Sequence, residues 1–468
     1  MKSILMIGML LIIVSGKAQT CDCGKEFLNI KHTIEKNFSG FSDRLKTIGK
    51  KTYDRQVDEL SKLTRDKFAS DNCILIINKY LGIFKSHHLG FRFTFDPYKT
   101  DTDFVNHRPL FTITDKEIER LRTSRTFEGI YNYSYDTSYK IAVIKDPTPL
   151  HDYVGVMITS KIPTWKKGMI KLEGKLVNDS VITGLLYMRN HRPKPEGFSL
   201  WGDNNMLSGD WVREGGVKKE FPMAAPTGKK YSTIDGERLT SNTMYIKIGS
   251  FDAGYKPQID SLLQANDVTL HSTANLILDL RDNGGGSDDS WSGLIPYLYT
   301  QPIKSVGVDL LASETTISAY KKLLENEKFS KQTVADINSK IARMEQAKGQ
   351  WIKGNNDETD SSFTPKLFPK KVLILTNRWC GSSTEEFLLV AKQSSKVILA
   401  GENTIGNLDY SNVVTVPFSC YPYSLLYATS RSRRLNIHQG IDNVGIAPKY
   451  HLPESADWIK EALKIVEQ

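Results

Sequence analysis

Long apolar runs and a strong excess of one charge are both missing from this chain of 468 residues. Beyond the first eighteen residues no apolar stretch is long enough to span a bilayer, which excludes a polytopic membrane protein. Lys and Arg number 62 against 53 Asp and Glu, and no long basic run concentrates the excess, so we expect no nucleic-acid partner. Apolar residues at 40% and charged residues at 25% are typical of a globular protein with a large core.

Metal-binding and phosphate-binding motifs are also missing. The nine histidines form no His-Glu-x-x-His or similar cluster, so we expect neither a metal nor a cofactor. The glycines include no Gly-Lys-Ser/Thr segment and no spaced Gly-x-Gly-x-x-Gly, which excludes the two usual phosphate-binding loops.

The first eighteen residues have the pattern of a secretory signal peptide. A short basic start is followed by the apolar stretch 4–14, and small residues, Gly16 and Ala18, stand before the expected cleavage point. We therefore predict an exported protein, periplasmic or secreted, with no stable membrane insertion after cleavage of residues 1–18. The alternative is an uncleaved amino-terminal anchor, although the stretch is short for a spanning helix.

Cysteine is scarce, and its count is odd. Five cysteines would remain after cleavage, so at least one is free or forms an intermolecular bond. A bond from Cys73 to Cys21 or Cys23 would attach the amino terminus to the first helical unit. The alternative is that all of the cysteines are reduced. The five are Cys21, Cys23, Cys73, Cys380 and Cys420.

Three regions differ in pattern, in agreement with the two to four domains expected at this length. Residues 19–95 show apolar residues at helical spacing and predict a helical amino-terminal subdomain. Residues 110–240 show short alternating segments between turns and predict a β-rich middle domain, either a sandwich or a barrel. Residues 241–468 alternate buried strands with helices and predict an α/β domain, with a charged helical insertion at 312–362.

Two junctions between a strand and a loop stand out in the α/β domain. The first, Asp279-Leu280-Arg281-Asp282-Asn283-Gly284-Gly285-Gly286, follows a buried strand. Its glycines permit positive φ angles and close approach of the backbone, so the loop can present N–H groups to a developing oxyanion.

The second junction, residues 377–387, leads from a strand into the first turn of a helix and carries serines. A serine there has an exposed Oγ, and the N–H of the next residue points from the helix amino terminus. That arrangement suits a nucleophile and its oxyanion donor. The alternative is that Ser382, Ser383 and Thr384 only cap the helix, with Glu385 completing a capping box.

Together the two junctions resemble the S41 peptidase family, which includes the carboxy-terminal processing (tail-specific) proteases and the tricorn core protease. The signature pair is Leu-Asp-Leu-Arg-Asp-Asn-Gly-Gly-Gly followed later by Gly-Ser-Ser-Thr-Glu-Glu-Phe. Two further blocks match, Gly-Glu-Asn-Thr-Ile-Gly at 401–406 and Gly-Ile-Ala-Pro at 445–448. The resemblance is specific over about 243–310 and 370–452, and it implies a ClpP/crotonase-like α/β catalytic fold.

The resemblance also implies site residues. The family serine stands three residues before the glutamate of its block, which makes Ser382 the nucleophile of an acyl-enzyme and Glu385 a supporting residue. The oxyanion donors would be the N–H of Ser383 and that of Gly284 or Gly285. A thiol hydrolase that uses Cys380, at a position often held by serine, is an alternative.

The general base must differ from that of the tail-specific branch, which has a lysine 25 residues after the serine. In this chain that position holds Asn407. The tricorn-like branch instead takes a histidine from a preceding helical subdomain. In Ser-His-His-Leu-Gly at 86–90 we favour His88 over His87, and a surface or capping histidine pair is the alternative. The resemblance to the tricorn-like branch also implies a carboxylate near the end of the domain that orients the imidazole. Asp442 is the nearest acidic candidate for it, and a turn aspartate is the alternative.

The sequence therefore predicts an exported serine peptidase of S41 type that acts on peptides or unfolded proteins. The rival hypothesis is a non-catalytic ligand-binding or peptide-binding protein on the same fold. Loss of the lysine favours the rival, whereas Ser382, the glycine loop and the histidine pair favour an enzyme.

Overall fold

The computed structural model describes residues 21–96, 109–178, 181–201, 206–207, 210–216, 232–325, 329, 331–453 and 456–468. The predicted signal peptide, residues 1–18, lies outside the described residues. Over the described ranges, no helix combines the length and the apolar character needed to cross a membrane.

Twelve α-helices are present in the described part of the chain. In chain order they are α1 (Cys23–Asn37), α2 (Phe41–Ile48), α3 (Lys50–Leu63), α4 (Ala69–Gly82), α5 (Asp115–Thr123), α6 (Lys256–Ala265), α7 (Asp267–Leu270), α8 (Ile295–Leu298), α9 (Glu314–Leu323), α10 (Lys331–Gln346), α11 (Ser383–Ala391) and α12 (Trp458–Glu467).

The strands number twenty-one within the same residues. They are β1 (Leu89–Phe93), β2 (Gly129–Tyr133), β3 (Tyr139–Lys145), β4 (Tyr153–Ser160), β5 (Ile170–Asn178), β6 (Val181–Tyr187), β7 (Pro193–Trp201), β8 (Met206–Leu207), β9 (Trp211–Arg213), β10 (Ile234–Arg238), β11 (Thr243–Ile248), β12 (Asn275–Asp279), β13 (Ile303–Ser305), β14 (Val308–Leu311), β15 (Trp351–Lys353), β16 (Glu358–Asp360), β17 (Lys371–Thr376), β18 (Val397–Gly401), β19 (Tyr410–Pro417), β20 (Tyr423–Ser432) and β21 (Tyr450–His451).

The β-rich middle region is a closed barrel of strands β2 to β9. Every strand pairs antiparallel with the strand next to it in sequence, and β9 closes the barrel on β2. The barrel encloses a separate apolar core, which includes large side chains such as Trp211 and Phe198, 2% and 1% exposed. The structure thus decides for the barrel over the sandwich, since closure pairs both edge strands.

The α/β region is built on a six-stranded sheet in the order β10-β11-β12-β17-β18-β21. In this sheet, β11, β12, β17, β18 and β21 run parallel. An apolar core lies on each face. Helix α11 and neighbouring elements cover one core, and α12 covers the other. The sheet begins earlier than the predicted boundary at 241. Strand β10 forms an antiparallel hairpin with β11 and therefore belongs to the α/β sheet, although it precedes that boundary.

The amino-terminal helices do not form a unit by themselves. They share one apolar core with α9, α10 and the antiparallel sheet β1-β20-β14-β15, in which β19 also pairs with β20. We call this assembly, residues 21–96, 308–353 and 410–432, the composite subdomain. The predicted helical insertion at 312–362 is therefore partly wrong, because it also contains β15 and β16 and packs its helices here.

Two disulfides hold the composite subdomain together. Cys23–Cys73 joins α1 to α4, which decides between the two partners expected for Cys73. Cys21–Cys420 joins the amino-terminal end of the described chain to the turn between β19 and β20, across a separation of 399 residues. The sequence offered no local signal for that second pairing. Cys380 is the remaining cysteine, and it is free and buried.

Candidate active site

The two sequence junctions lie side by side in the structure. Strands β12 and β17 are parallel neighbours, with Asp279 opposite Leu375, so their carboxyl ends meet at one edge of the sheet. The loops that follow are tied reciprocally: Asp282 N donates to Asn377 Oδ1 over 3.0 Å, and Asn377 Nδ2 donates to Asp282 Oδ1 over 2.8 Å. The glycine loop and the serine-bearing loop therefore form one unit.

Asn283 connects this unit internally, and sequence reasoning missed it. Its fully buried side chain accepts hydrogen bonds from Gly285 N at 3.0 Å and Thr384 Oγ1 at 2.8 Å, and it donates to Ile248 O at 3.0 Å. The available signal was an amide directly before a run of glycines, where a side chain that both donates and accepts can satisfy loop backbone groups.

The strand end before the glycine loop is held by a buried ion pair. The carboxylate of Asp279 accepts from Nε and Nη2 of Arg281 at 2.9 and 2.6 Å and from the Tyr245 hydroxyl at 2.7 Å. Burial alone would raise the pKa of Asp279, but the Arg281 charge and these hydrogen bonds lower it to about 2. The pair therefore stays charged at neutral pH and fixes the direction in which the loop leaves β12.

Ser382 precedes α11 in a backbone conformation that is rare for a residue with a side chain, with φ 53° and ψ −123°. Its N–H donates to Asn407 Oδ1 over 2.5 Å, and its C=O accepts from the N–H groups of Glu385 and Glu386 at 2.8 and 3.1 Å. Its Oγ makes no hydrogen bond with any described residue. Ser382 is thus held by its main chain, while its hydroxyl remains available.

The neighbouring Ser383 has the opposite arrangement. Its Oγ donates to Asp288 Oδ1 over 2.5 Å and accepts from Trp291 Nε1 over 3.0 Å, whereas its N–H has no partner in the described part of the chain. Of the two serines, only Ser382 therefore has an uncommitted hydroxyl, and Ser383 contributes an uncommitted N–H at the start of α11.

Gly285 lies against both serines. Its φ is 101°, and a Cβ there would stand 2.9 Å from Ser382 Cβ and 2.8 Å from Ser383 N, so only glycine fits. Gly284, in contrast, has open space where a Cβ would stand. The N–H of Gly285 is occupied by Asn283, while that of Gly284 has no partner among the residues described.

The Glu385 carboxylate, which is fully buried, holds the third sequence block against α11. It accepts hydrogen bonds from the Thr404 hydroxyl, from Gly406 N at 2.8 Å and from Asn407 N at 2.9 Å. Burial raises its pKa, and these three donors lower it again in part. Glu385 is therefore placed as a supporting residue, because it fixes the segment that contacts Ser382.

His88 enters the site from the composite subdomain. It directly precedes β1, which pairs antiparallel with β20, and its Nδ1 lies 2.6 Å from the main-chain oxygen of Tyr410. Because a carbonyl can only accept, Nδ1 carries the proton in the neutral ring and Nε2 is left as an acceptor. Burial lowers the pKa of His88, although the Tyr410 carbonyl raises it in part.

His88 and Ser382 line the same cleft, which has a volume of about 950 Å³ between the glycine loop, α10, the turn before β14 and β19. Among the described residues no hydrogen bond joins Ser382 Oγ to His88. His87 is exposed and does not line this cleft. Of the two predicted histidines, the structure therefore brings only His88 to the cleft that Ser382 lines.

Among the described residues, no hydrogen bond joins Asp442 to His88. One of its carboxylate oxygens pairs with Arg44 Nη2 at 2.8 Å, and the other accepts from Asp409 N at 2.9 Å. Burial and the nearby carboxylates of Asp409 and Glu385 raise its pKa to about 7, against the charge of Arg44. The group that orients His88 is a main-chain carbonyl, and Asp442 instead links α2 to the loop before β21.

Cys380 is placed unlike a nucleophile. The residue is fully buried, its Sγ donates to Leu280 O over 3.0 Å, and burial raises its pKa to about 12. A thiol at that pKa is almost entirely protonated at neutral pH, so the geometry does not support the thiol-hydrolase alternative. Over the described residues, no group of three or more His, Cys, Asp or Glu could hold a metal ion.

One family model and several solved structures are similar to this chain. The model of peptidase family S41 matches residues 242–452, which contain both junctions, Glu385 and Asn407. Mature CPAF superposes with a TM-score of 0.51 at 11% identity, covering 95% of this chain and 96% of that chain. A CPAF mutant gives a TM-score of 0.52 at 13% identity over 95% and 96% of the two chains.

Mature CPAF complexed with lactacystin gives a TM-score of 0.51 at 11% identity, over 95% of this chain and 97% of that chain. At such identities the likeness shows a shared fold and nothing finer. No curated protein matches the sequence. Residues 242–452, which contain the glycine loop and the serine-bearing helix, match peptidase family S41, and over this region the chain is similar to that family.

Proposed function

We propose that the protein is a serine peptidase that hydrolyses peptide bonds through an acyl-enzyme on Ser382, with His88 as general base. The observation that carries this proposal is the cleft shared by an uncommitted Ser382 hydroxyl and a neutral His88 whose Nε2 is free to accept a proton. The match to peptidase family S41 supports the reaction class.

In the proposed reaction His88 Nε2 removes the proton from Ser382 Oγ as the oxygen attacks the peptide carbonyl carbon. The oxyanion of the tetrahedral intermediate accepts hydrogen bonds from the unpartnered N–H groups of Ser383 and Gly284, and the amino terminus of α11 stabilises the negative charge. His88 then gives the proton to the leaving amine. In the second half of the reaction His88 activates a water molecule, which hydrolyses the acyl-enzyme.

The Tyr410 carbonyl takes the place of the orienting carboxylate in this proposal. It fixes the tautomer of His88 without adding a negative charge, and it raises the imidazole pKa by less than burial lowers it. The base is then neutral at pH 7, as the reaction requires. Catalytic hydrogen bonds are often long in a free enzyme and shorten when substrate binds, which is compatible with the gap between Ser382 and His88.

We further propose that the protein is exported and acts on peptides or unfolded proteins outside the cytoplasm. The amino-terminal apolar segment and the pairings Cys21–Cys420 and Cys23–Cys73 support this, because disulfides persist in oxidising compartments. The open, largely polar cleft is compatible with an extended chain as substrate.

A fluorophosphonate probe, which reacts with activated serines, tests the proposal directly. We expect labelling of the wild type and none of Ser382→Ala. Ser411→Ala is a matched control, because Ser411 lines the same cleft but its Oγ pairs with that of Ser430. Equal labelling of Ser382→Ala would place the nucleophile elsewhere.

The rival, a non-catalytic binding protein, makes a different prediction in the same experiment. An unlabelled wild type that still binds unfolded peptides, measured by calorimetry, would favour it. The observation on its side is the missing hydrogen bond between the Ser382 hydroxyl and His88 in the described structure.

A further inference from the structure

We infer that Asn407 is a positioning residue for Ser382, whose backbone it holds through its side-chain oxygen. This inference rests on the proposed role of Ser382 as nucleophile. Asn407 stands where the tail-specific branch has lysine, and a carboxamide cannot take a proton from serine at neutral pH. Its contribution must therefore differ in kind from that of a base.

The contact is short and specific. Ser382 N donates to Asn407 Oδ1 over 2.5 Å, at a residue whose φ is 53°. Non-glycine residues stay in such conformations only where the surroundings hold them. The first turn of α11 holds the Ser382 carbonyl from the other side, through the N–H groups of Glu385 and Glu386. Both main-chain polar groups of Ser382 are therefore engaged.

Asn407 is positioned in turn by the helix that carries the serine. Its own N–H donates to Glu385 Oε2 over 2.9 Å, and Gly406 N donates to Oε1 of the same carboxylate over 2.8 Å. Glu385 lies three residues after Ser382, so a closed ring of contacts runs from Ser382 through Glu385 and Asn407 back to Ser382. Asn407 is therefore held to α11 by two hydrogen bonds, although β19 of the composite subdomain begins only three residues later.

Loss of the Asn407 oxygen should act on the chemical step more than on binding. Without an acceptor, the Ser382 N–H loses its partner and the residue can relax towards a negative φ, which moves Oγ. A misplacement of about 1 Å in a reacting group can cost about 10²-fold in rate. We therefore expect slower acylation and a lower kcat, with KM changed by about twofold or less.

Two variants of similar size separate the hydrogen bond from simple packing. Asn407→Leu removes the acceptor, and Asn407→Asp keeps an oxygen at Oδ1. Asn403→Leu is the matched control, because Asn403 lies in the same loop, is partly exposed and only donates to Val444 O over 3.3 Å. The readouts are the rate constant of fluorophosphonate acylation, kcat and KM, and hydrogen exchange of the Ser382 amide.

We expect Asn407→Leu to be acylated about 10²-fold more slowly and to lose exchange protection at the Ser382 amide. Asn407→Asp should keep that protection and stay within about tenfold of the wild-type rate, and Asn403→Leu should match the wild type. If Asn407→Leu does not fold, Asn407→Ala replaces it with the same readouts.

The inference would be overturned if Asn407→Leu kept the wild-type acylation rate and the wild-type exchange protection of the Ser382 amide. It would also be overturned if the Leu and Asp variants lost acylation rate equally and both had a raised KM. A wild type that is not acylated, combined with lost Ser382 protection in Asn407→Leu, would refute the proposed function and support the positioning contact.

Discussion

The barrel and the composite subdomain are assembled in opposite ways. The barrel occupies one stretch, residues 129–213, and each of its strands pairs with its neighbour in sequence. The composite subdomain draws on three separated stretches, and Cys21–Cys420 bridges almost the whole chain. Each region carries a histidine that can be compared, His151 in the barrel and His88 in the composite subdomain. Only His88 lines a cleft together with Ser382. The position of the proposed base therefore depends on long-range packing, whereas the barrel depends on local pairing.

The two histidines, His151 and His88, also differ in the partners of their ring nitrogens. In the barrel, His151 Nδ1 lies 2.8 Å from Glu173 Oε2 and its Nε2 lies 2.9 Å from Asp146 Oδ2, so both nitrogens are occupied. His88 has one nitrogen on a neutral carbonyl and the other free. A histidine between two carboxylates is held in place, and a histidine with one free nitrogen in a cleft is available for proton transfer.

The largest expected difference is in activity. His88→Ala should lower kcat/KM by about 10⁴-fold or more, because members of a catalytic unit act together. His151→Ala should leave the kcat of the folded protein within about threefold of the wild type. Peptide hydrolysis assays of both variants check this, with circular dichroism as the control for folding. Comparable activity of the two variants would break the functional side of the comparison.

The next comparison uses the same substitution in both cores. Phe84 and Phe198 are each 1% exposed, and Phe84 lies four residues before His88 with ring contacts to Phe38 and Tyr80. Each Phe→Ala should cost about 3–5 kcal/mol of unfolding free energy in urea titrations. Only Phe84→Ala should also lower kcat, because it loosens the turn that carries His88. An equal fall in kcat for Phe198→Ala would contradict this.

Removal of the long-range disulfide should have a somewhat smaller effect. The double variant Cys21→Ser, Cys420→Ser should lose about 2–4 kcal/mol of stability, because the unfolded chain is no longer constrained by the cross-link. The composite subdomain should become more open to hydrogen exchange while the barrel keeps its protection. Uniform loss of protection in both regions would show that they unfold as one unit.

The smallest expected effect is a pair of pH dependences of opposite sign. Folding lowers the pKa of His88, because burial disfavours the charged ring, so this histidine costs the folded protein stability as pH falls below about 6.5. Folding raises the pKa of His151: burial alone would lower it, but Glu173 and Asp146 outweigh burial. Its stabilisation is present below about 6.5 and is lost as pH rises through the folded pKa.

Urea titrations at pH 5.5 and 8.5 test this pair. We expect His151→Gln to be more destabilising at pH 5.5 than at pH 8.5, and His88→Gln to show the reverse order. The same direction of change in both variants would contradict the assigned environments.

The parallel strands could be predicted closely because their signal is local. A buried parallel strand is a short apolar run between turns, and the run Val372-Leu373-Ile374-Leu375 lies in β17, Lys371–Thr376. The first residue of α11, Ser383, also follows from the small polar residues at its start. The predicted boundary at 241 separates β10 from its sheet, because the short edge strand Ile-Asp-Gly-Glu-Arg carries no signal that shows which sheet it joins.

The parts of the candidate site that lie within one sequence segment could be predicted. The contacts between residues of different segments could not. The serine loop and the glycine loop each carry a recognisable pattern, and their resemblance to the S41 family is what singles out Ser382 and Gly284 or Gly285. The Tyr410 carbonyl could not, because every residue has a carbonyl and only the fold brings this one to His88. Asp442 was expected on the imidazole for want of a nearer acid, yet its carboxylate is used by Arg44 and Asp409.

Local pattern thus determines the strands of the α/β sheet and the two loops at its edge, and the family resemblance adds the candidate side chains on those loops. These features depend on contacts within a few residues, which a linear sequence displays directly. Tertiary structure alone decides that Cys21 meets Cys420, that His88 shares a cleft with Ser382, and that Asn407 holds the serine backbone. Each of these joins segments far apart in sequence, and only burial of a common core brings such segments together.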